Sequence, residues 1–126
     1  LAIIDKRRPA PGKSQVMNVI GNVKDKVCIM VDDIIDSGGT IVNAANALKK
    51  RGAKEVHVYA THGVFSNDSI SKIKNSKIKN CVITDTIDSS DKLKKVRNIE
   101  VLSISNLLAE AIKRISNSTS VSDLFK

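Results

Sequence analysis

The chain has 126 residues, with 21 Lys and Arg against 13 Asp and Glu, a net charge of +8, 41% hydrophobic residues, 2% aromatics and no Trp. That fits one modest domain whose core must be Ile, Val, Leu and Ala. It excludes nucleic-acid binding by interleaved base-stacking aromatics, a membrane-spanning apolar run, and a disulfide framework, since only Cys28 and Cys81 are present.

Residues 1–4 are a short apolar run ending in Asp5, Lys6, Arg7 and Arg8. They predict a strand running into a site; if it lies parallel beside the one at 27–32, both carboxyl ends open on the same sheet edge. Pro9, Pro11 and Gly12 then break regular structure. The connection to about Asp25 is long for a compact domain and suits a functional lid. Within it Val16, Met17, Val19 and Ile20 supply a short strand that closes as a hairpin flap.

The run 27–31 ends abruptly in Asp32 and Asp33, followed by Asp36, Ser37, Gly38, Gly39 and Thr40. A strand, a tight acidic glycine-rich loop and a helix start are expected. In open parallel α/β sheets, ligands bind at strand carboxyl ends. A helix start offers unpaired N–H groups to an anion, glycines permit close backbone approach, and Ser37 and Thr40 add hydroxyl donors. Asp32 and Asp33 would repel a phosphate, so they are expected to face sugar hydroxyls or a cation. One loop therefore points to a ligand that is both sugar and phosphate.

A helix is expected over 39–51, with Ile41, Ala44, Ala45 and Leu48 on one face and Gly52 just past its end. A strand at 56–61 follows, so the crossover makes the sheet parallel. His57 is expected to be structural. His62 stands at a strand end and is assigned no chemistry. A short helix is expected from Asp68 or Ser69 to about Asn75, and a strand over 78–84 ending near a second acidic position, Asp85. Residues 88–91 form a turn or cap, 99–104 the last strand, and 106–115 a helix capped by Ser105. The residues from 116 onward read as a terminal tail. The lysine runs near 72–74 and 92–95 read as solvated surface. Cys28 and Cys81 read as buried reduced thiols, with the cytoplasm as the default setting.

The stretch VDDIIDSGGT resembles the sugar-phosphate loop of type I phosphoribosyltransferases and of ribose-phosphate pyrophosphokinases (phosphoribosyl pyrophosphate synthetases). AIIDKRRP followed by VMNVIGNV resembles the catalytic flexible loop of the pyrophosphokinases alone. LLAEAIKRI and SVSDLF are also similar to segments of that family. The resemblance implies a phosphoribosyltransferase-like (Rossmann-like) α/β fold with a mostly parallel sheet flanked by helices. It implies that residues 1–126 are part of a C-terminal domain truncated at its N-terminal side, with a catalytic loop over 7–25 and a regulatory tail over 116–126. The chain lacks an initial Met and starts within a strand, which also suggests a fragment.

The activity implied is transfer of the diphosphoryl group of ATP to the 1-hydroxyl of ribose 5-phosphate, giving phosphoribosyl pyrophosphate and AMP, with Mg²⁺. Lys6 and Arg8 would be the catalytic pair, and Arg8 would also reach ribose 5-phosphate. Asp32, Asp33, Asp36, Ser37, Gly38, Gly39 and Thr40 would bind that substrate, with Asp32 and Asp33 as possible metal ligands. Ser120, Val121 and Ser122 would serve a regulatory site for phosphate or ADP in a homo-oligomer, a hexamer in the family. Neither nucleic acid nor membrane is an expected partner, and the isolated fragment is expected to be inactive. The alternatives are a phosphoribosyltransferase domain and a non-catalytic synthetase-associated subunit.

Overall fold

The computed structural model describes residues 1–7 and 16–126. The element order is β1 (Ile3–Arg7), β2 (Val16–Ile20), β3 (Val27–Ile35), α1 (Gly39–Lys50), β4 (Glu55–Gly63), α2 (Ser69–Lys74), β5 (Asn80–Thr84), α3 (Ser90–Leu93), β6 (Ile99–Leu102) and α4 (Ser105–Ser116), then a 3₁₀ turn (Ser122–Phe125). Strands β3-β4-β5-β6 form a wholly parallel four-stranded sheet in chain order.

Among the described residues the first strand does not pair with β3. β1 pairs antiparallel with β2 in a separate hairpin, Ile3 opposite Ile20 and Arg7 opposite Val16. The flap expected at 16–20 is the partner. A hairpin satisfies β1 with the next stretch of chain, at lower loop-closure cost than a crossover to β3. Val19 of this hairpin is buried in the main core, and Arg51 Nη2 donates to Asn18 Oδ1 at 3.4 Å.

The core lies on one face of the sheet. Ile41, Ala45 and Leu48 of α1 and Ile73 of α2 pack with Val56, Val58 and Ala60 of β4, Cys81 and Ile83 of β5 and Ile99 of β6. These residues follow the helical and alternating periods that amphipathic elements require. α1 ends as its sequence dictates. Lys49 and Lys50 occupy the last turn, Lys49 Nζ donates to the Ala53 and Lys54 carbonyls, and Gly52 takes φ +87°.

Among the described residues the opposite face is uncovered. Ile29, Val31, Tyr59 and Leu102 are exposed on it, and α4 buries none of its residues, leaving Ile112 66% and Ile115 67% exposed. Helices flank the sheet as expected, packing on one face among the described residues, although parallel sheets are ordinarily covered on both. Cys81 is buried as expected, whereas Cys28 is only half-buried, because β3 is the sheet's edge.

Candidate functional site

β3 runs through the acidic pair as far as Ile35, further than the sequence pattern suggested. Its residues packed on the core are Cys28 and Met30 and then, five positions on, Ile35. In β4 the series is Val56, Val58 and Ala60, then Gly63. Both strands therefore leave strict alternation at the same level while their register holds, with Ile34 opposite His62 and Ile35 opposite Gly63. Asp32, Asp33 and Ile34 are consequently all exposed at the carboxyl end. Asp32 Oδ1 accepts the Asp33 backbone N–H at 3.0 Å, which ties one carboxylate to the adjoining backbone.

Past Ile35 the chain crosses exposed Asp36 and Ser37 to Gly38, the N-cap of α1, at φ +71° and ψ −10°. This left-handed conformation suits glycine. Among the described residues no side chain caps the helix, and its first turn carries no acid. The first helical bond runs from Val42 N to Gly38 O at 3.1 Å, so the N–H groups just before it lack helical acceptors and the twelve-residue helix presents its positive end. Nothing crowds a Cβ placed on Gly39 within 3.9 Å, so the loop is open there.

The segment after β4 holds this loop from behind. Val64 N and Phe65 N both donate to Ile35 O, at 3.0 and 3.2 Å, and Ser66 N donates to Asp36 O at 3.2 Å. Phe65 is buried yet sits at φ +51°, as does Asn67. Unfavourable backbone of this kind persists where its surroundings over-determine it. A Cβ on Gly38 would meet Ser69 Cβ and O at 3.4 Å, and Ser69 Oγ is buried without a partner among the described residues. Gly38→Ala is expected to cost about 1–2 kcal/mol through its left-handed conformation, as read by urea unfolding, and to weaken anion binding by distorting the loop. A substitution without effect on either would show that the loop tolerates other backbone angles.

The sequence-expected site residues divide into three groups. Asp32, Asp33, Asp36, Ser37, Gly38, Gly39 and Thr40 come together on the β3–α1 connection. Lys6 lies in β1, opposite Met17, and Arg8 falls outside the described residues. Ser120, Val121 and Ser122 lie beyond α4, where Arg114 Nη1 donates to Ser120 O at 2.9 Å. No hydrogen bond among the described residues joins them to the acidic loop.

Asp85, the second acidic strand end, has a structural task. Its Oδ1 accepts Ile104 N at 3.0 Å at the entry to α4, and the Ser103 hydroxyl and this N–H hold its carboxyl below the usual range. His57 pairs with Glu55 at 3.2 Å, as a structural histidine would. The clamp by Phe65 and the contacts of Gly63 and Ser69 escaped sequence reading. Their only local signal was a glycine beside a histidine at a strand end.

The described residues contain no group of three His, Cys, Asp or Glu able to hold a metal ion by themselves. Two exposed carboxylates still match magnesium, which ordinarily takes one or two carboxylates together with substrate phosphates. Among the described residues no helix is long and apolar enough to cross a membrane.

This arrangement defines a parallel α/β domain that presents an anion-accepting helix start beside two carboxylates at one strand end. The family described as "Phosphoribosyl synthetase-associated domain" matches residues 4–126. A ribose-phosphate pyrophosphokinase of Hyphomonas neptunium is 56% identical over 125 residues, 99% of this chain and 40% of that protein. One of Haemophilus ducreyi is 53% identical over 125 residues, with the same coverage. The crystal structure of phosphoribosylpyrophosphate synthetase from Mycobacterium smegmatis superposes with a TM-score of 0.80 at 38% identity, over 93% of this chain and 37% of that one. The chain belongs to the phosphoribosyl synthetase-associated domain family. It spans about 40% of the length of the curated relatives it matches.

Proposed function

We propose that this chain carries the ribose 5-phosphate site of a ribose-phosphate diphosphokinase. The observation that supports it most is the Gly38 N-cap. A left-handed glycine opens the start of a long helix, without a side-chain cap, immediately beyond Asp32 and Asp33. The backbone of residues 36–40, with the Ser37 and Thr40 hydroxyls, binds the 5-phosphate, and Asp32 and Asp33 take the ribose hydroxyls directly or through Mg²⁺. The names of the relatives support ATP as the second substrate, with phosphoribosyl pyrophosphate and AMP as products. They favour this reading over a phosphoribosyltransferase.

The residues' own contributions are positioning and charge. Preorganised N–H donors orient the sugar phosphate, and holding two reactants in line lowers the barrier without a covalent intermediate. Mg²⁺, when bound with the phosphates, supplies charge neutralisation. Lys6 and Arg8 are proposed to complete the site from the β1–β2 hairpin, Arg8 as a bidentate phosphate ligand and Lys6 as a point charge. The proposal extends to a cytoplasmic homo-oligomer in which Ser120, Val121 and Ser122 answer to phosphate or ADP.

Calorimetry separates the two halves of the site. Thr40→Val removes a donor to a charged group and is expected to weaken both ribose 5-phosphate and inorganic phosphate about tenfold or more. Asp33→Asn is expected to weaken ribose 5-phosphate and spare inorganic phosphate. Native chain that binds neither ligand, or variants that bind as the native chain does, would overturn the assignment.

A further inference from the structure

At the carboxyl ends of β4 and β5, beside the acidic loop, stands a group of polar side chains that the proposed site does not use. His62 Nδ1 lies 2.8 Å from Thr86 Oγ1. Thr84 Oγ1 donates to Thr61 O at 2.7 Å. Thr86 Oγ1 lies 3.2 Å from the same carbonyl and 3.1 Å from Thr84 Oγ1.

A threonine hydroxyl has one proton to give and lone pairs to receive. Thr84 gives its proton to the Thr61 carbonyl. Thr86 has two oxygen acceptors, Thr61 O and Thr84 Oγ1, within reach of its own proton. With that proton directed to either of them, Thr86 Oγ1 accepts from His62, and the imidazole proton resides on Nδ1. Nε2 then carries a lone pair, and it has no hydrogen-bond partner among the described residues. The ring is half-buried, fixed at one nitrogen and free at the other.

Its place in the sheet says what that lone pair meets. His62 is in register with Ile34, the residue after Asp33. Among the described residues β4 is the only strand paired with β3 in the sheet, and adjacent strands lie about 4.8 Å apart. Val64 and Phe65 donate to Ile35 O and Ser66 to Asp36 O, so the strand end that carries the imidazole is bonded to the acidic loop. In the reading above, the 5-phosphate at residues 38–40 and the ring hydroxyls at Asp32 and Asp33 leave the anomeric carbon as the end of the sugar without a contact.

We propose that His62 Nε2 accepts a hydrogen bond from the anomeric 1-hydroxyl of the bound sugar phosphate, with Thr86 as the positioning residue that fixes the imidazole's tautomer. This rests on the ribose 5-phosphate reading above. It assigns to the side of the site facing β4 a recognition of the hydroxyl that must react, so that a sugar phosphate lacking it is discriminated against. A site built to pair a hydroxyl rejects the analogue without one, because its own polar group is then left unpaired.

The test is calorimetry with three ligands: ribose 5-phosphate, 1,4-anhydroribitol 5-phosphate, which lacks the anomeric hydroxyl, and inorganic phosphate. Native chain is expected to bind ribose 5-phosphate about tenfold more tightly than the anhydro compound. His62→Phe is expected to remove that preference and leave inorganic phosphate unchanged. Thr86→Val, which frees the ring, is expected to reduce the preference, and Thr86→Ser to restore it. A long-range ¹H–¹⁵N spectrum of the native chain is expected to show His62 protonated at Nδ1. Protonation at Nε2 instead would overturn the proposal, as would a His62 variant that keeps the preference or one that loses inorganic phosphate as well. Binding that Thr40→Val and Asp33→Asn weaken but His62→Phe leaves intact would overturn the role of His62 alone. Absence of all ribose 5-phosphate binding by the native chain would overturn the site reading along with it.

Discussion

Gly63→Ala is expected to destabilise the chain by about 1–3 kcal/mol, as overpacking a filled core does. The cause is space. A Cβ at position 63 would stand 2.5 Å from Ile83 Cδ1 and 2.7 Å from Phe65 Cε2. Ile83 is 1% exposed and Phe65 2%, so neither has solvent to move into. Shortening the neighbour provides a check. Ile83→Val alone is expected to cost about 0.5–1.5 kcal/mol. It deletes the atom nearest the new methyl, so the double variant is expected to lose less than the sum of the two single losses, with the Phe65 contact accounting for what remains. Residues in contact show such coupling, whereas distant ones add. Urea unfolding of the four proteins measures it, and simple additivity would mean that the backbone escapes the clash in another way. The effect is expected to reach the site. Gly63 pairs with Ile35, and the next two N–H groups hold the Ile35 carbonyl, so a shift here displaces the acidic loop and weakens ribose 5-phosphate.

The second large effect is alkaline and belongs to Cys81. Its side chain is fully buried in the middle of the sheet, in register with Val58 on one side and Ile99 on the other. Burial pushes its thiol from an ordinary value near 9.0 up to about 12. The folded state therefore keeps the proton that the unfolded chain releases, and stability falls with pH wherever the native form binds more protons. This contribution is fully present below about pH 9 and is lost as pH rises through 12. A shift of about three pH units corresponds to roughly 4 kcal/mol. Cys81→Val keeps an apolar side chain of similar size and has nothing to ionise. Above pH 9 the stability difference between native and variant chains is expected to move steadily in the variant's favour, because lysine and tyrosine titration cancels in the comparison. Parallel curves from pH 8 to 11 would show that the folded chain admits the thiolate by opening locally.

Both effects depend on contacts that no local pattern announces, and this sets what was legible. The stretch from Val27 to Lys50 could be read because each part acts on its near neighbours. β-branched and apolar residues favour extension, a glycine relieves the left-handed turn at position 38, and Ile41, Ala45 and Leu48 repeat at the helical period. The parallel order of β3 to β6 followed from alternating strands and helices, since short crossovers place consecutive strands side by side.

The sequence by itself determined the strand–loop–helix connection and the parallel core, because periodicity, glycine conformation and helix polarity are properties of adjacent residues. Only the tertiary structure decided that β1 closes on β2 and leaves β3 as an edge. It alone decided that Gly63 must admit Ile83 and Phe65, that the Ile35 carbonyl is held from the far side of β4, and that His62 meets Thr86, 24 residues away. Each of these pairs residues that the chain brings together only when the sheet assembles. Their partners are set by register and by the space left between packed side chains, and neither has a period that can be read along the chain.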